Sequence, residues 1–112
     1  MKVSPVPNKG MYKLLRGFPV AAFGEVYEIP AGFMWDGASI PRFFWRIIGG
    51  PFRPEFMKAS CIHDWMCVNK PPHSTSAKAA EYFGNVLRNC GVPKRKALLM
   101  VKAVKWFGPK WK

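Results

Sequence analysis

Acidic side chains are scarce in this chain. Six aspartates and glutamates stand against 18 lysines and arginines, giving a formal charge of +12 and a pI near 10.1 in 112 residues. A charge of that size and sign disfavours cationic partners and suits anionic ones: nucleic acid, acidic lipid or an acidic protein surface. It does not choose among them, and a basic surface that only keeps the protein in solution is an open alternative. Cysteines number three, an odd count that predicts free thiols in a reducing compartment rather than disulfides. Long apolar runs are missing, and none reaches the ~18 residues that a membrane span requires. The start, "MKVSPVPNKGMYK", is broken by proline and reads as no signal peptide. Internal repeats and low-complexity tracts are absent too, so residues 1–112 are expected to form a single domain.

What is present is enough to fold. Hydrophobic residues make up 49% and aromatics 15% of the chain, which excludes intrinsic disorder for its body. Residues 1–10, with Pro5, Pro7 and Gly10, read as an extended arm. Residues 11–30 contain two short apolar runs around Gly24, and Val26, Tyr27 and Ile29 favour strand, so a β-hairpin or meander is expected there. Four helices are then expected, over residues 39–49, 54–69, 75–90 and 93–107, with a basic tail at 108–112. Ser39 and Pro41 signal the first start, Pro54 the second, a Ser or Thr of "HSTS" the third and Pro93 the fourth. Gly91 suits a left-handed position just beyond the third helix. The segment 54–69 is apolar nearly all round and should be the buried central helix. In the last helix Leu98, Val101, Val104 and Phe107 recur about once per turn and are expected to dock on the core. The fold class that follows is α+β: a short N-terminal β segment followed by three to four helices, mainly helical.

Only two aspartates occur, Asp36 in "GFMWDGASIPR" and Asp64 in "CIHDWMC". His63 and Asp64 are neighbours on a helix, so their side chains diverge by about 100° and need separate partners. A carboxylate on a packed helix requires a cation, a metal or backbone donors, and Arg42 or the helix start near Ser39 is the available choice. One reading is therefore a structural polar cluster of Asp36, Ser39, Arg42, His63 and Asp64 that joins the turn to the central helix. The other makes His63, Asp64 and Asp36 catalytic, with water or a divalent metal between them for hydrolysis. No cofactor is otherwise implied. Cys61, His63 and Cys67 do not make a zinc motif, because their spacing spreads them over different helix faces and only His63 and Cys67 share one. The run "CIHDWMC" resembles the catalytic helix of secreted phospholipases A2, with altered spacing and with no counterpart of their calcium loop or second aspartate. Near the end, Lys94, Arg95, Lys96, Lys102, Lys105 and Lys110 interleave with Trp106 and Trp111. That pattern suits phosphate binding with base stacking, or an acidic protein groove. It equally suits an amphipathic helix with a solvated lysine face and inward tryptophans.

Taken together, "VYEIPAGFMWDGASIPRFFWRIIGGP", "FMKASCIHDWMC" and "ALLMVKAVKWFGPKW" resemble a family of small phage and prophage proteins, domain of unknown function 1353. The likeness runs from about residue 26 to residue 111 and falls on Pro30, Gly32, Phe33, Asp36, Ala38, Ser39, Pro41, Arg42, His63, Asp64, Phe107, Gly108 and Trp111. Trp35 stands where the family has threonine, and Ser76 and Ala80 stand where it has arginine and aspartate. The resemblance implies a phage-encoded protein, and the expected function is a virion structural or assembly component of the tail or head. Other virion proteins, and nucleic acid met through the basic surface, are its expected partners. Virion or host cytoplasm is the expected location. The alternatives are a His-Asp metal-dependent hydrolase, phospholipase-like or directed at peptidoglycan, and an inhibitor of a host or defence protein.

Overall fold

A computed structural model describes residues 2–6, 11–36, 46 and 54–112. The fold is α+β, with antiparallel strands first and helices after them. Strands β1 (Val3–Val6), β2 (Met11–Leu14) and β5 (Met34–Trp35) form one antiparallel sheet in the order β1-β2-β5. Strands β3 (Phe18–Ala22) and β4 (Glu25–Ile29) pair as a hairpin with Ala22 opposite Glu25. The extended arm is thus a paired strand over residues 3–6, in register with β2 from Val3 against Leu14 to Val6 against Met11.

Only Phe23 and Gly24 connect β3 to β4, with φ of 55° and 81°. Two left-handed residues match the twist of a tight hairpin, and glycine takes that conformation freely. Phenylalanine does so at a cost. Its ring, half-buried and 6.3 Å from that of Tyr82, supplies the offsetting contact.

Helices α1 (Pro54–Asn69), α2 (Ser76–Asn89) and α3 (Lys94–Phe107) follow. Thr75 caps α2, its hydroxyl accepting from the Lys78 N–H at 3.1 Å. Gly91, at φ 92°, turns the chain after α2, and Pro93 precedes α3. The helix expected over 39–49, with Ser39 and Arg42, lies outside the described residues apart from Arg46, which is helical and exposed.

Helix α1 is the centre of the molecule, packed against α2 on one side and β5 on another. Phe56, Ala59, Cys61, Ile62 and Met66 are almost wholly buried, while Val68 at its end is 72% exposed. Two aromatic contacts tie the strands to α1. The Trp35 indole donates to the Ser60 hydroxyl at 3.0 Å, satisfying a buried N–H. Tyr27 of the hairpin lies 5.7 Å from Trp65, ring to ring.

The docking face of α3 differs from the expected one. Ala97, Met100, Ala103 and Val104 are buried, whereas Leu98 is 52% and Phe107 47% exposed. A stripe spaced strictly by three drifts about 60° per step, because each residue turns about 100°. Its two ends therefore leave the interface, and the true contact row alternates steps of three and four. Small residues set the approach: a Cβ on Gly84 of α2 would lie 2.6 Å from Val101 Cγ2 of α3. After α3 the chain folds back. The Ser76 N–H donates to the Trp111 carbonyl at 2.8 Å, and the Trp111 indole donates to Ser74 Oγ at 3.0 Å. No helix among the described residues is long and apolar enough to cross a membrane.

Candidate functional site

The two aspartates share one cleft. About 260 Å³ in volume, it is lined by Asp36 at the end of β5 and by Asp64 and Cys67 of α1, with Trp35, Met34 and Pro109 around them. Asp36 is exposed and Asp64 half-buried, so carboxylates face solvent from both walls. Strand β5 carries Asp36 there because Trp35 is anchored on Ser60, one turn before Asp64. Of the residues expected from sequence to form a polar cluster or a catalytic set, Asp36 and Asp64 line this cleft, while Ser39 and Arg42 lie outside the described residues.

His63 takes a different place. It is 3% exposed and lies against Phe83 of α2, with ring centres 5.2 Å apart. Burial lowers its pKa to about 4, so the imidazole is neutral at physiological pH. Its Nδ1 lies 3.6 Å from Cys67 Sγ, and that thiol in turn lines the cleft. Cys67 was not singled out as a site residue from sequence. The signal was present in its position four residues after His63, which puts both on one face of the helix. Cys61 points into the core, where burial, and after it the charge of Asp64, push its thiol pKa up to about 12. Such a thiol is a small hydrophobe and no nucleophile. Among the described residues no three potential ligands are close enough together to hold a metal ion. Two carboxylates on a cleft wall can attract a cation or position water.

The basic C-terminal set divides. Arg95, Lys102, Lys105 and Trp106 are exposed, Trp106 at 78%, and at 100° per residue they fall with Leu98 and Leu99 within about 120° of the outer circumference of α3. Lys94 lies at the groove between α2 and α3, beside Glu81 and Arg88. Lys96 turns inward, its ammonium 5.1 Å from the Phe56 ring centre. Lys110 caps the end of α3, donating to the carbonyls of Lys105 at 2.6 Å and Trp106 at 3.3 Å. Trp111 is half-buried against Ser74. The outer stripe is therefore cationic and apolar at once, with leucines that sequence periodicity had assigned to the core or passed over.

A family model described as "Protein of unknown function (DUF1353)" matches residues 12–104. Among curated proteins, the "Uncharacterized protein y4jT" of Sinorhizobium fredii is 44% identical over 88 residues, covering 79% of this chain and 26% of that protein. The "Uncharacterized protein y4iH" of the same organism is 32% identical over 112 residues, covering 95% of this chain and 44% of that protein. The chain thus spans less than half the length of these two relatives. No solved structure matches.

Proposed function

We propose that this chain, which belongs to the family Protein of unknown function (DUF1353), is a binding component of a phage-type assembly, seated on an acidic neighbour through the outer face of α3. The observation that carries this reading is the composition of that face. Trp106, Leu98 and Leu99 are 78%, 52% and 46% exposed and alternate with Arg95, Lys102 and Lys105. Tryptophan and arginine are the residue types that concentrate binding energy at interfaces. Each large apolar side chain taken from water contributes about 1.5–3 kcal/mol, while the cations steer an acidic partner and select against a basic one. The burial of His63 also weighs toward binding, because an imidazole 3% exposed is poorly placed to relay protons to a substrate.

The finer part of the proposal is location in the virion, as a tail or head accessory protein. Mass spectrometry of purified particles is expected to find this chain at a fixed copy number. A chain carrying Lys102→Glu and Trp106→Ala is expected to fold normally by circular dichroism, both positions being exposed, yet to be lost from particles by at least tenfold. Absence of the unaltered chain from particles would overturn the virion placement, and full incorporation of the altered chain would overturn the role of α3.

A second reading, a hydrolase working at the cleft, draws on Asp36 and Asp64 lining the same walls. The same experiment separates the two. A hydrolase needs no fixed copy number, and changes on α3 would leave it intact.

A further inference from the structure

The pocket at the far end of the first sheet is chemically unlike the aspartate cleft. It has a volume of about 550 Å³ and is lined by Lys2, Arg16, Gly17, Phe18, Pro19 and Lys58. None of these belongs to α3, so the pocket stands apart from the face assigned above to partner binding.

Three separate segments bring its cations together. Lys2 precedes β1, and its carbonyl accepts from the Leu15 N–H at 2.9 Å, which sets it beside the segment carrying Arg16. Gly17 presses the β2–β3 link against β4. A Cβ there would stand 2.7 Å from the Ile29 carbonyl oxygen, so only glycine allows this approach and the position of Arg16 that follows from it. Lys58 comes from α1, its ammonium 5.9 Å from the Phe18 ring centre, within the range of a cation–π contact.

Like charges gathered from three elements repel one another unless an anion joins them. Among the described residues none of the three forms an ion pair. A nearby carboxylate is that of Glu28, paired across the hairpin with Pro19, whose Oε1 lies 3.2 Å from where a Gly17 Cβ would stand. Among the described residues, three cations stand against this one nearby carboxylate. The pocket's volume falls within the range of roughly 300–1,000 Å³ typical of small-molecule sites, more than a bare inorganic anion fills. Phe18 and Pro19 supply apolar lining beside the cations.

We propose that this pocket binds a nucleoside phosphate, either free or as a unit of a nucleic-acid strand. Lys2, Arg16 and Lys58 hold the phosphate, Arg16 through its planar fork, and Phe18 with Pro19 supports the base.

Titration calorimetry of the full chain with adenosine monophosphate, inorganic phosphate and a short thymidine oligonucleotide tests this. The nucleotide or the oligonucleotide is expected to bind at least tenfold more tightly than inorganic phosphate. Whichever of the two binds more tightly identifies the source. Arg16→Ala and Lys58→Ala are each expected to weaken that binding by roughly tenfold, the effect of losing one charge-assisted hydrogen bond. Lys78→Ala, an exposed lysine on α2, leaves it within twofold, and Glu28→Gln strengthens it. All four side chains are exposed, so the variants keep the fold, which circular dichroism verifies. Equal affinity for inorganic phosphate, an equal loss from Lys78→Ala, or no binding at all would each overturn the proposal.

Discussion

Among the ionisable side chains, His63 shows most directly what burial does. With 3% of its surface exposed and Phe83 against its ring, it has lost the hydration that stabilises an imidazolium. Its folded pKa, about 4, lies below the ordinary 6.5. Between those values the unfolded chain binds a proton that the folded chain refuses. Stability is therefore complete above about pH 6.5 and declines as pH falls toward 4, with about 2 kcal/mol lost by pH 5. Carboxylates titrate in the same range, so the comparison that isolates His63 uses His63→Leu, which lacks this titration. Urea unfolding near pH 7.5 and pH 5 is expected to show the unaltered protein losing about 2 kcal/mol more than the variant. Equal losses would mean that the imidazole is hydrated in the folded state. The sequence placed His63 on a buried helix and made it distinct from Asp64, but the apolar ring opposite it comes from a residue 20 positions later. Only packing could supply that neighbour.

Helix ends and helix faces obey different rules here. Thr75, Gly91 and Pro93 mark boundaries through their own backbone chemistry, and α2 and α3 start and stop beside them. The face of α3 that docks depends instead on what α2 presents, and α2 presents Gly84. Alanine at Gly84 would gain about 1 kcal/mol in helix propensity. It would also put a Cβ 2.6 Å from Val101 Cγ2, on a β-branched side chain with little rotamer freedom. Overpacking of this kind costs about 1–3 kcal/mol. Gly84→Ala is therefore expected to destabilise by about 1 kcal/mol net, and the same change made together with Val101→Ala should recover that loss. A double-mutant cycle by thermal or urea unfolding measures the coupling. Additive single effects would show that α3 shifts freely on α2. Leu98 and Phe107 looked like core residues because a spacing of three resembles a helical repeat over two turns, and the drift becomes visible only over three or more.

At the scale of the whole molecule, a charge of +12 is held within a radius of gyration of 13.0 Å. Self-repulsion at that density opposes the compact state, and salt screens it over about 8 Å at physiological strength and about 3 Å at 1 M. Thermal unfolding is expected to move upward between dilute buffer and about 1 M sodium chloride, by roughly 4 °C if screening recovers about 1 kcal/mol. A fall instead would show that attractive surface pairs outweigh the repulsion. By itself the sequence determined the α+β class, the helix boundaries marked by Pro54, Gly91 and Pro93, and the excess of positive charge. It also showed the motifs of the family. All of these are local or summed properties, written in single residues and their near neighbours. Tertiary structure alone decided that Cys67 stands between the buried His63 and the cleft that Asp36 and Asp64 line. It also decided that Lys2, Arg16 and Lys58 meet, and that α3 turns its leucines and Trp106 outward. The physical reason is that such meetings join residues tens of positions apart, and which of them meet depends on how closely the strands and helices pack.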